Sequence, residues 1–438
     1  MNNMKNNFIN NNIKEEIQLI KNTMLDDSVN KITLENGLDI YICKKPGFEK
    51  KIGLFGTKYG SITNDFIDVK TNERVKVPDG IAHFLEHKLF EQEGANALDL
   101  FSKEGIFSNA YTSFNQTVYY FETIDKFNKG LEMLIKLVKT PYFTKENVDK
   151  EQGIIGQEIA MYENEPEYMS YFNTLKCMYN THPVRIDIAG TKESISHITK
   201  DTLYTCYNTF YHPSNMFIVL IGDIDIKESI NLIKENLKLY ENNIHKENIT
   251  KFKELDENNI CKKYNIQKMN TYMKQITLGY KLDVVEKNEI VKREIIAEII
   301  YEMFFSKSSK FYEEQYAKGN IDEEVSVSYE GSDEFSHLII STSSLKDDII
   351  NEIKEYIEKL KKEKIDDVIF EKIKRKKIGE SITLSESLNY TYRKIIDSII
   401  NKSDMYFDVE YITNITKDEI VTFLNKLDDD KFVYSIVE

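Results

Sequence analysis

The chain has 438 residues, a formal net charge of −15 at pH 7 and an apolar fraction of 41%. This length exceeds what one hydrophobic core usually supports, so we expect two domains of roughly 200 residues each. The acidic balance argues against a nucleic-acid partner and favours attraction of cationic peptides, although an acidic surface can also serve solubility alone.

The N-terminal residues and the cysteines bear on where the protein works. Residues 1–8 contain no apolar run of signal-peptide length, and no later segment is apolar enough to span a bilayer. We therefore expect a cytoplasmic protein without a membrane partner. The four cysteines form no C-x-x-C pair, which indicates neither a disulfide framework nor a structural zinc site.

The first expected elements are a leader, a helix and a hairpin. Residues 1–29 are expected to form an Asn-rich leader followed by a helix over residues 13–24. Residues 31–42 alternate around the pair Asn36-Gly37, which predicts two strands joined by a tight turn. A third strand is expected over residues 52–59.

Residues 80–90 carry the motif H-x-x-E-H. On a helix the positions i, i+3 and i+4 share one face, so His83, Glu86 and His87 point into the same small volume. Two neutral imidazoles there can hold a divalent metal, while the carboxylate between them acts as a general base. The alternative is an amphipathic helix whose histidines are half-buried polar residues. Asp79 is expected to cap the first turn.

A third metal ligand is expected from a separate helix, because zinc needs three protein ligands if one position is to stay open for water. In a long helix that begins near Thr144, Glu151 and Glu158 are seven residues apart and share a face, and we choose Glu158. The solvated alternatives close behind it are Glu163, Glu165 and Glu167. Between the motif and this helix we expect a helix, two strands and another helix, over residues 95–105, 107–114, 117–123 and 126–139.

The second half of the chain repeats this order of elements. A catalytic domain is expected over residues 30–239, a charged linker over 240–268 and a second domain over 269–438. The counterpart of the motif helix, over residues 286–305, contains no histidine and cannot form a second zinc site of the same kind. We expect an α+β fold of two duplicated metallohydrolase-like domains, each a mainly antiparallel sheet packed with helices.

Taken together, the motifs resemble the pitrilysin/insulinase family of zinc peptidases, inverzincins that include the beta subunit of the mitochondrial processing peptidase. The resemblance covers nearly the whole chain. It rests on runs that follow one another along the sequence: Asn36-Gly37-Leu38, His83-Phe84-Leu85-Glu86-His87, Asn109-Ala110-Tyr111-Thr112-Ser113, and Glu151 with Glu158. It implies that His83, His87 and Glu158 bind one zinc ion per chain, that Glu86 is the catalytic base, and that Glu151 is a supporting carboxylate.

The same resemblance implies a metalloendopeptidase that cleaves peptides or small unfolded precursors with metal-activated water in a clamshell chamber. The strand formed by Asn109, Ala110, Tyr111 and Thr112 is expected to lie at a sheet edge near the metal. An extended substrate would add to this edge by main-chain hydrogen bonds. The alternative is an ordinary hairpin with Tyr111 in the core.

One departure from the family pattern bears on whether the chain acts alone. The family carries an Arg and a Tyr in its second half that hold the substrate, whereas Tyr316 and Asp322 occupy those positions here. Bacterial members of this kind often work as two unlike chains, so we expect a second family chain to supply the missing pair in a heterodimer. The alternatives left open are a homodimer that uses Tyr316 or Tyr329, and a non-catalytic peptide-binding or assembly subunit.

Overall fold

The computed structural model describes residues 17–22, 24–237, 249–253 and 256–438. The predicted leader, residues 1–16, therefore lies outside the described part. Contacts divide the chain into two compact units. The first comprises the described residues of 1–159, 188–253 and 385–396, and the second those of 160–187, 254–384 and 397–438. None of the described helices is both long enough and apolar enough to cross a bilayer.

The elements are numbered in chain order. The strands are β1 Ile17–Asn22, β2 Asp27–Thr33, β3 Asp39–Lys44, β4 Lys51–Thr57, β5 Asp65–Ile67, β6 Arg74–Lys76, β7 Glu91–Gln92, β8 Ala95–Asn96, β9 Phe107–Thr112, β10 Thr117–Thr123, β11 Met216–Gly222, β12 Tyr264–Gln267, β13 Lys274–Lys281, β14 Ser326–Gly331, β15 Ser336–Ser344 and β16 Phe432–Val437. The α-helices are α1 Ile81–Phe90, α2 Ala97–Lys103, α3 Phe127–Lys139, α4 Lys145–Tyr162, α5 Pro166–Met178, α6 Lys192–Ser196, α7 Lys200–Phe210, α8 Ile226–Leu237, α9 Asn288–Ile300, α10 Lys310–Ala317, α11 Ile349–Leu360, α12 Asp367–Leu384, α13 Leu388–Asn401, α14 Phe407–Asn414 and α15 Lys417–Leu424.

A seven-stranded sheet forms the centre of the first unit, in the order β1-β2-β3-β11-β4-β10-β9. Neighbouring strands pair antiparallel except β11 and β3, which run parallel. Every residue of β11 is buried, in keeping with its unbroken apolar run. Helix α3 lies against β4 and β10, and α1 lies against β9. The motif helix is therefore held beside one edge of the sheet.

The hairpin predicted at Asn36-Gly37 is confirmed. Strand β2 pairs antiparallel with β3, and Gly37 adopts a φ of +88° in the turn between them. The Asn36 side chain accepts a hydrogen bond from the amide of Leu38 at 3.1 Å. A Cβ at Gly37 would lie 2.8 Å from the Cβ of Ser214, so both backbone conformation and space require glycine.

The second unit contains a five-stranded sheet in the order β12-β16-β13-β15-β14. Here β13, β15 and β14 are arranged as β4, β10 and β9 are in the first sheet. In each case the first strand of a hairpin lies at the edge, and its second strand pairs antiparallel with an earlier strand. Two helices precede each hairpin, α1 and α2 in one unit and α9 and α10 in the other. The predicted α+β fold with an internal duplication is confirmed.

The helix predicted over residues 13–24 is wrong in its described part. Residues 17–22 form strand β1, which pairs antiparallel with β2 along its whole length. A short run with apolar residues at Ile17, Leu19 and Ile20 fits either a helical or a strand period, so pattern alone cannot decide. Pairing with β2 decides for the strand. Residues 13–16 and 23 lie outside the described part.

The predicted cap of α1 is also wrong. The N-cap residue is Gly80, with a φ of +86°, and the Asp79 carboxylate instead accepts a hydrogen bond from Nδ2 of Asn64 at 2.7 Å. A Cβ at Gly80 would lie 2.3 Å from the carbonyl oxygen of Ala189. Glycine is therefore required for the helix to begin against this neighbouring segment.

The compact units differ from the predicted domain limits of 30–239, 240–268 and 269–438. Residues 160–187 belong to the second unit, where α5 packs on β13 and β16. Strand β12 lies inside the predicted linker and pairs with β16. The predicted limits stay a prediction, because contacts alone do not tell which segments fold independently.

Helix α9 carries a glutamate, Glu294, whose surroundings disfavour the charged form of its carboxyl group. The pKa of Glu294 is raised from an ordinary 4.5 to about 8. Burial is the larger cause, and the nearby carboxylates of Asp397 and Glu298 add to it. Between these values the folded chain binds more protons than the unfolded chain. Below about pH 4 the group does not oppose folding, and its penalty grows as the pH rises to about 8.

We therefore expect Glu294→Gln to stabilise the chain at pH 8 by about 1–3 kcal/mol and to change its stability little at pH 5. Urea unfolding midpoints between pH 5 and pH 9 measure this effect. Glu286→Gln, at an exposed position just before the same helix, is the matched control. An equal response of both variants would contradict the burial of the Glu294 carboxyl.

Candidate metal centre

Three side chains of α1 converge as the helical spacing predicts. The imidazole rings of His83 and His87 lie 4.6 Å apart between centroids, at an angle of 62°. Glu86 lies on the same face and is only 7% exposed. The apolar side of the helix anchors it in the core of the first unit through Ile81, Phe84, Leu85 and Leu89.

Helix α4 brings Glu158 to these histidines. Its Oε1 lies 3.7 Å from Nε2 of His83, and its Oε2 lies 3.5 Å from Nε2 of His87. One potential ligand atom from each of the three residues lies within 4.8 Å of the other two. In a tetrahedral zinc site with bonds of roughly 2.0–2.2 Å, ligand atoms lie about 3.3–3.5 Å apart. The cluster therefore has the donor atoms and the dimensions of a divalent metal site.

The rotation of α4 decides which carboxylates reach the histidines. Val148, Ile155 and Ile159 bury one side of this helix, and Glu151 and Glu158 project together towards α1. The alternatives named from the sequence are exposed and lie outside the cluster: Glu163, Glu165 and Glu167. No other group of three potential ligands occurs among the residues that the structure describes.

Glu151 lies behind His87. Its Oε1 is 3.1 Å from Nδ1 of the imidazole. A carboxylate at this position accepts the Nδ1 hydrogen, which leaves the Nε2 lone pair on the side of Glu158. This is the tautomer that a histidine needs to bind a metal through Nε2.

The pKa values of the two imidazoles are shifted in opposite directions. Burial and the neighbouring His87 lower the pKa of His83 to about 3, so its ring is neutral at physiological pH. Burial also lowers the pKa of His87, but the hydrogen bond with Glu151 and the charge of Glu86 outweigh it, and the net shift is upward. Burial likewise raises the pKa of Glu151, but its contacts with His87 and Lys88 lower it overall.

Glu86 is held by the sheet. Its Oε2 accepts a hydrogen bond from Oγ1 of Thr112 on β9 at 2.7 Å. Burial raises the pKa of Glu86, and the hydrogen bond from Thr112 opposes this shift. Glu86 is not one of the three clustered residues, so its carboxylate lies beside the candidate metal site without belonging to it.

The strand predicted for Asn109–Thr112 lies at the edge of the sheet. β9 pairs with β10 on one side, and in the described part of the chain no strand flanks its other side. Because side chains alternate along a strand, Tyr111 and Thr112 point to opposite faces. Tyr111 is half-buried and is not a core residue. The unpaired edge of β9 thus runs past the residue that holds Glu86.

Two features of the site were not predicted from the sequence. The side chain of Thr112, expected only as part of a substrate strand, holds Glu86. Lys88, the residue after His87, is fully buried and contacts Glu151. The available signal was a lysine at a position that the helical pattern assigns to the buried side of α1.

Known proteins and family models show which family the chain resembles. The family model described as "Insulinase (Peptidase family M16)" matches residues 71–192, and the model "Peptidase M16 inactive domain" matches residues 197–377. YmfH of Bacillus subtilis, named an uncharacterized zinc protease, is 39% identical over 415 residues, which cover 92% of this chain and 95% of that protein. The chain belongs to the insulinase family, peptidase family M16. The family predicted from the motifs is thereby confirmed.

Solved structures share the M16 fold. An M16-like peptidase from Alicyclobacillus acidocaldarius is similar with a TM-score of 0.87 and 28% identity, covering 94% of this chain and 98% of that one. A protease from Helicobacter pylori has a TM-score of 0.82 at 19% identity and covers 96% and 100% of the two chains, which supports the fold alone. Membership of this peptidase family and relatives named zinc proteases indicate a metallopeptidase function at the level of the family.

We expect Glu158→Gln to weaken binding of a divalent metal by at least about 100-fold, because loss of a direct ligand should exceed the 10–100-fold effect of losing an outer partner. Competition of zinc with a chromogenic chelator measures the affinity. Glu163→Gln, an exposed position on the loop after the same helix, is the control and should leave the affinity unchanged. Equal affinity in both variants would remove Glu158 from the metal site.

Proposed function

We propose that this protein is a zinc-dependent endopeptidase that cleaves peptides or small unfolded precursors. The observation that carries the proposal is the position of Glu86 beside the cluster of His83, His87 and Glu158, next to β9, the edge strand of the described sheet. The donor set of two imidazoles and one carboxylate suits zinc. The relative YmfH is named a zinc protease, which supports the same metal.

In this proposal His83, His87 and Glu158 hold one zinc ion per chain, and Glu151 supports His87. Bound zinc supplies a Lewis acid for the scissile carbonyl and lowers the pKa of a water to about 7. Glu86 takes the proton of the attacking water and later delivers it to the leaving amine. Burial raises the pKa of Glu86, which suits a group that must act as a base and then as an acid.

Thr112 has a positioning role in the proposed reaction. Its hydroxyl donates to Oε2 of Glu86, so one carboxylate oxygen is engaged and the other is left for the proton. Thr112 does not belong to the metal cluster and acts through Glu86. Its hydrogen bond therefore orients the base without contacting zinc.

The substrate is proposed to add to β9 as an antiparallel or parallel strand. Asn109, Ala110, Tyr111 and Thr112 form the stretch of this strand nearest to Glu86. Main-chain pairing along an edge strand selects an extended peptide rather than a compact small molecule. The acidic net charge adds attraction for cationic peptides.

A second chain of the family is proposed to complete the enzyme. Tyr316 is 58% exposed and stacks on Tyr312, and a phenol lacks the positive charge and paired N–H donors of the arginine expected at that position. Tyr329 is buried, and its hydroxyl lies 2.9 Å from Oγ of Ser336, so it is not offered to a substrate. The rival proposal is a peptide-binding or assembly subunit without catalysis, for which the absence of the Arg and Tyr pair is the supporting observation.

We expect Glu86→Gln to retain zinc and to lower peptide cleavage by at least about 100-fold, the usual contribution of a positioned base. A quenched-fluorescence peptide assay and zinc content measure the two effects, for the chain alone and mixed with a second family chain. Glu93→Gln, at an exposed position near the end of α1, is the matched control.

Cleavage only in the mixture supports an enzyme completed by its partner. Full cleavage by Glu86→Gln would refute its role as the base. Zinc binding without cleavage of any peptide, in either state, would favour the peptide-binding subunit.

Replacement of Thr112 tests its positioning role. Thr112→Val keeps the shape of the side chain and removes the donor, and we expect kcat to fall about 10–100-fold with little change in KM, since hydrogen bonds to charged groups contribute about 1.5–3 kcal/mol. Thr112→Ser keeps the hydroxyl and should retain most of the rate. If both variants lose the same activity, the effect comes from packing and not from the hydrogen bond.

A further inference from the structure

Lys88 is a buried cation on helix α1, on the side that faces the core. Its side chain has an exposed fraction of 0%. Its ammonium group contacts the carboxylate of Glu91, the carbonyl oxygen of Asn147 at 3.2 Å and Oε2 of Glu151 at 3.5 Å. Because an ammonium has three N–H donors, these three acceptors satisfy it completely.

Packing alone does not explain a lysine at this position. The neighbouring positions on the buried side of α1 are apolar, and a methionine would fill a similar volume without the desolvation of a charge. A buried charge persists when its partners compensate it. The contacts of Lys88 therefore show what the charge is used for, and one of them is Glu151 of the proposed metal centre.

Glu151 is held from both sides. Its Oε1 lies 3.1 Å from Nδ1 of His87, and its Oε2 lies 3.5 Å from Nζ of Lys88. A carboxylate bound at one oxygen only can rotate about its terminal bond, whereas one bound at both oxygens is fixed in a plane. The orientation that Glu151 presents to His87 thus depends on Lys88.

We propose that Lys88 is a positioning residue of the metal centre, which fixes the carboxylate of Glu151 and, through it, the tautomer and ring orientation of His87. The proposal rests on the proposed function in that it takes His87 as a metal ligand. Lys88 contacts none of the three clustered residues directly, and its effect passes through Glu151. In this way the Nε2 lone pair of His87 is turned towards Glu158 before a metal binds.

The alternative is a purely structural role. Lys88 joins α1 to its own C-terminal neighbour Glu91 and, through the carbonyl of Asn147, to the first turn of α4. A link of this kind would stabilise the fold without affecting the tautomer of His87. The two roles therefore differ in a property that can be measured without metal.

The test uses the full chain, labelled with ¹⁵N-histidine and freed of metal. Nitrogen chemical shifts give the tautomer of His87, assigned by comparison with His87→Gln, and competition with a chelator gives the affinity for zinc. For the wild type we expect a single tautomer with the proton on Nδ1. For Lys88→Met we expect a mixture of tautomers and a 10–100-fold loss of zinc affinity.

Coupling between the residues separates a direct from an indirect effect. If Lys88 acts through Glu151, Lys88→Met added to Glu151→Gln should change zinc affinity less than threefold beyond Glu151→Gln alone. Effects that multiply in the double variant would overturn the proposal. Glu91→Gln removes the other carboxylate partner of Lys88 and should leave the His87 tautomer unchanged.

If Lys88→Met fails to fold, the metal-free wild type and a milder variant still test the proposal. A mixture of His87 tautomers in the metal-free wild type overturns the proposal without any variant, and Lys88→Gln, which keeps two donors, repeats the comparison in a milder form. Wild-type chain that binds no zinc refutes the proposed metal centre. Wild-type chain that binds zinc, with an unchanged tautomer and affinity in Lys88→Met, refutes the role of Lys88 alone.

Discussion

The packing of α4 against α1 is the constraint on which the candidate site depends. Glu151 and Glu158 are two turns apart on α4, and they reach the two nitrogens of one imidazole, Nδ1 and Nε2 of His87. A rotation of α4 by one residue, about 100°, would withdraw both carboxylates at once. The apolar side of the helix prevents this, because Ile155 and Ile159 are buried in the core of the first unit. The position of these two carboxylates is therefore set by hydrophobic packing on the other side of the same helix.

The second unit shows that the fold alone does not create the site. It repeats the helix pair and the hairpin with its edge strand, but α9 uses its polar residues differently. Arg293 donates to the carbonyl of Asp283 at 2.7 Å and to Oγ of Ser336 at 3.1 Å, which ties the helix to the sheet. Its neighbour Glu294 is a half-buried carboxyl without histidines on the same helix. The two copies of one architecture thus differ in side chains rather than in the path of the backbone.

The sequence predicts those parts of the structure that follow from local periodicity. Three of these parts are properties of single elements. They are the shared helical face of His83, Glu86 and His87, the seven-residue interval between Glu151 and Glu158, and the turn at Gly37. A helix is predicted where β1 lies, because the identity of this strand comes from its pairing with β2. The predicted helix cap at Asp79 is wrong because the Asp79 carboxylate accepts a hydrogen bond from Asn64 instead. Two of the three partners of Lys88, Asn147 and Glu151, lie 59 and 63 residues away on α4, so no local pattern predicts these contacts. Prediction failed where a residue's role is decided by a neighbour distant in sequence.

Strand β9 joins substrate position and chemistry in one residue. An unpaired strand edge is a liability for a protein, since it invites pairing with other chains. In the proposed enzyme this liability serves the reaction, because the paired chain is the substrate. The backbone of Thr112 belongs to the edge strand, while its hydroxyl donates a hydrogen bond of 2.7 Å to Glu86, the proposed base. A peptide paired in register with β9 would therefore be placed at a fixed distance from the base, without any contact to its side chains. Such an arrangement ties cleavage to an extended backbone and leaves the choice of sequence to other surfaces.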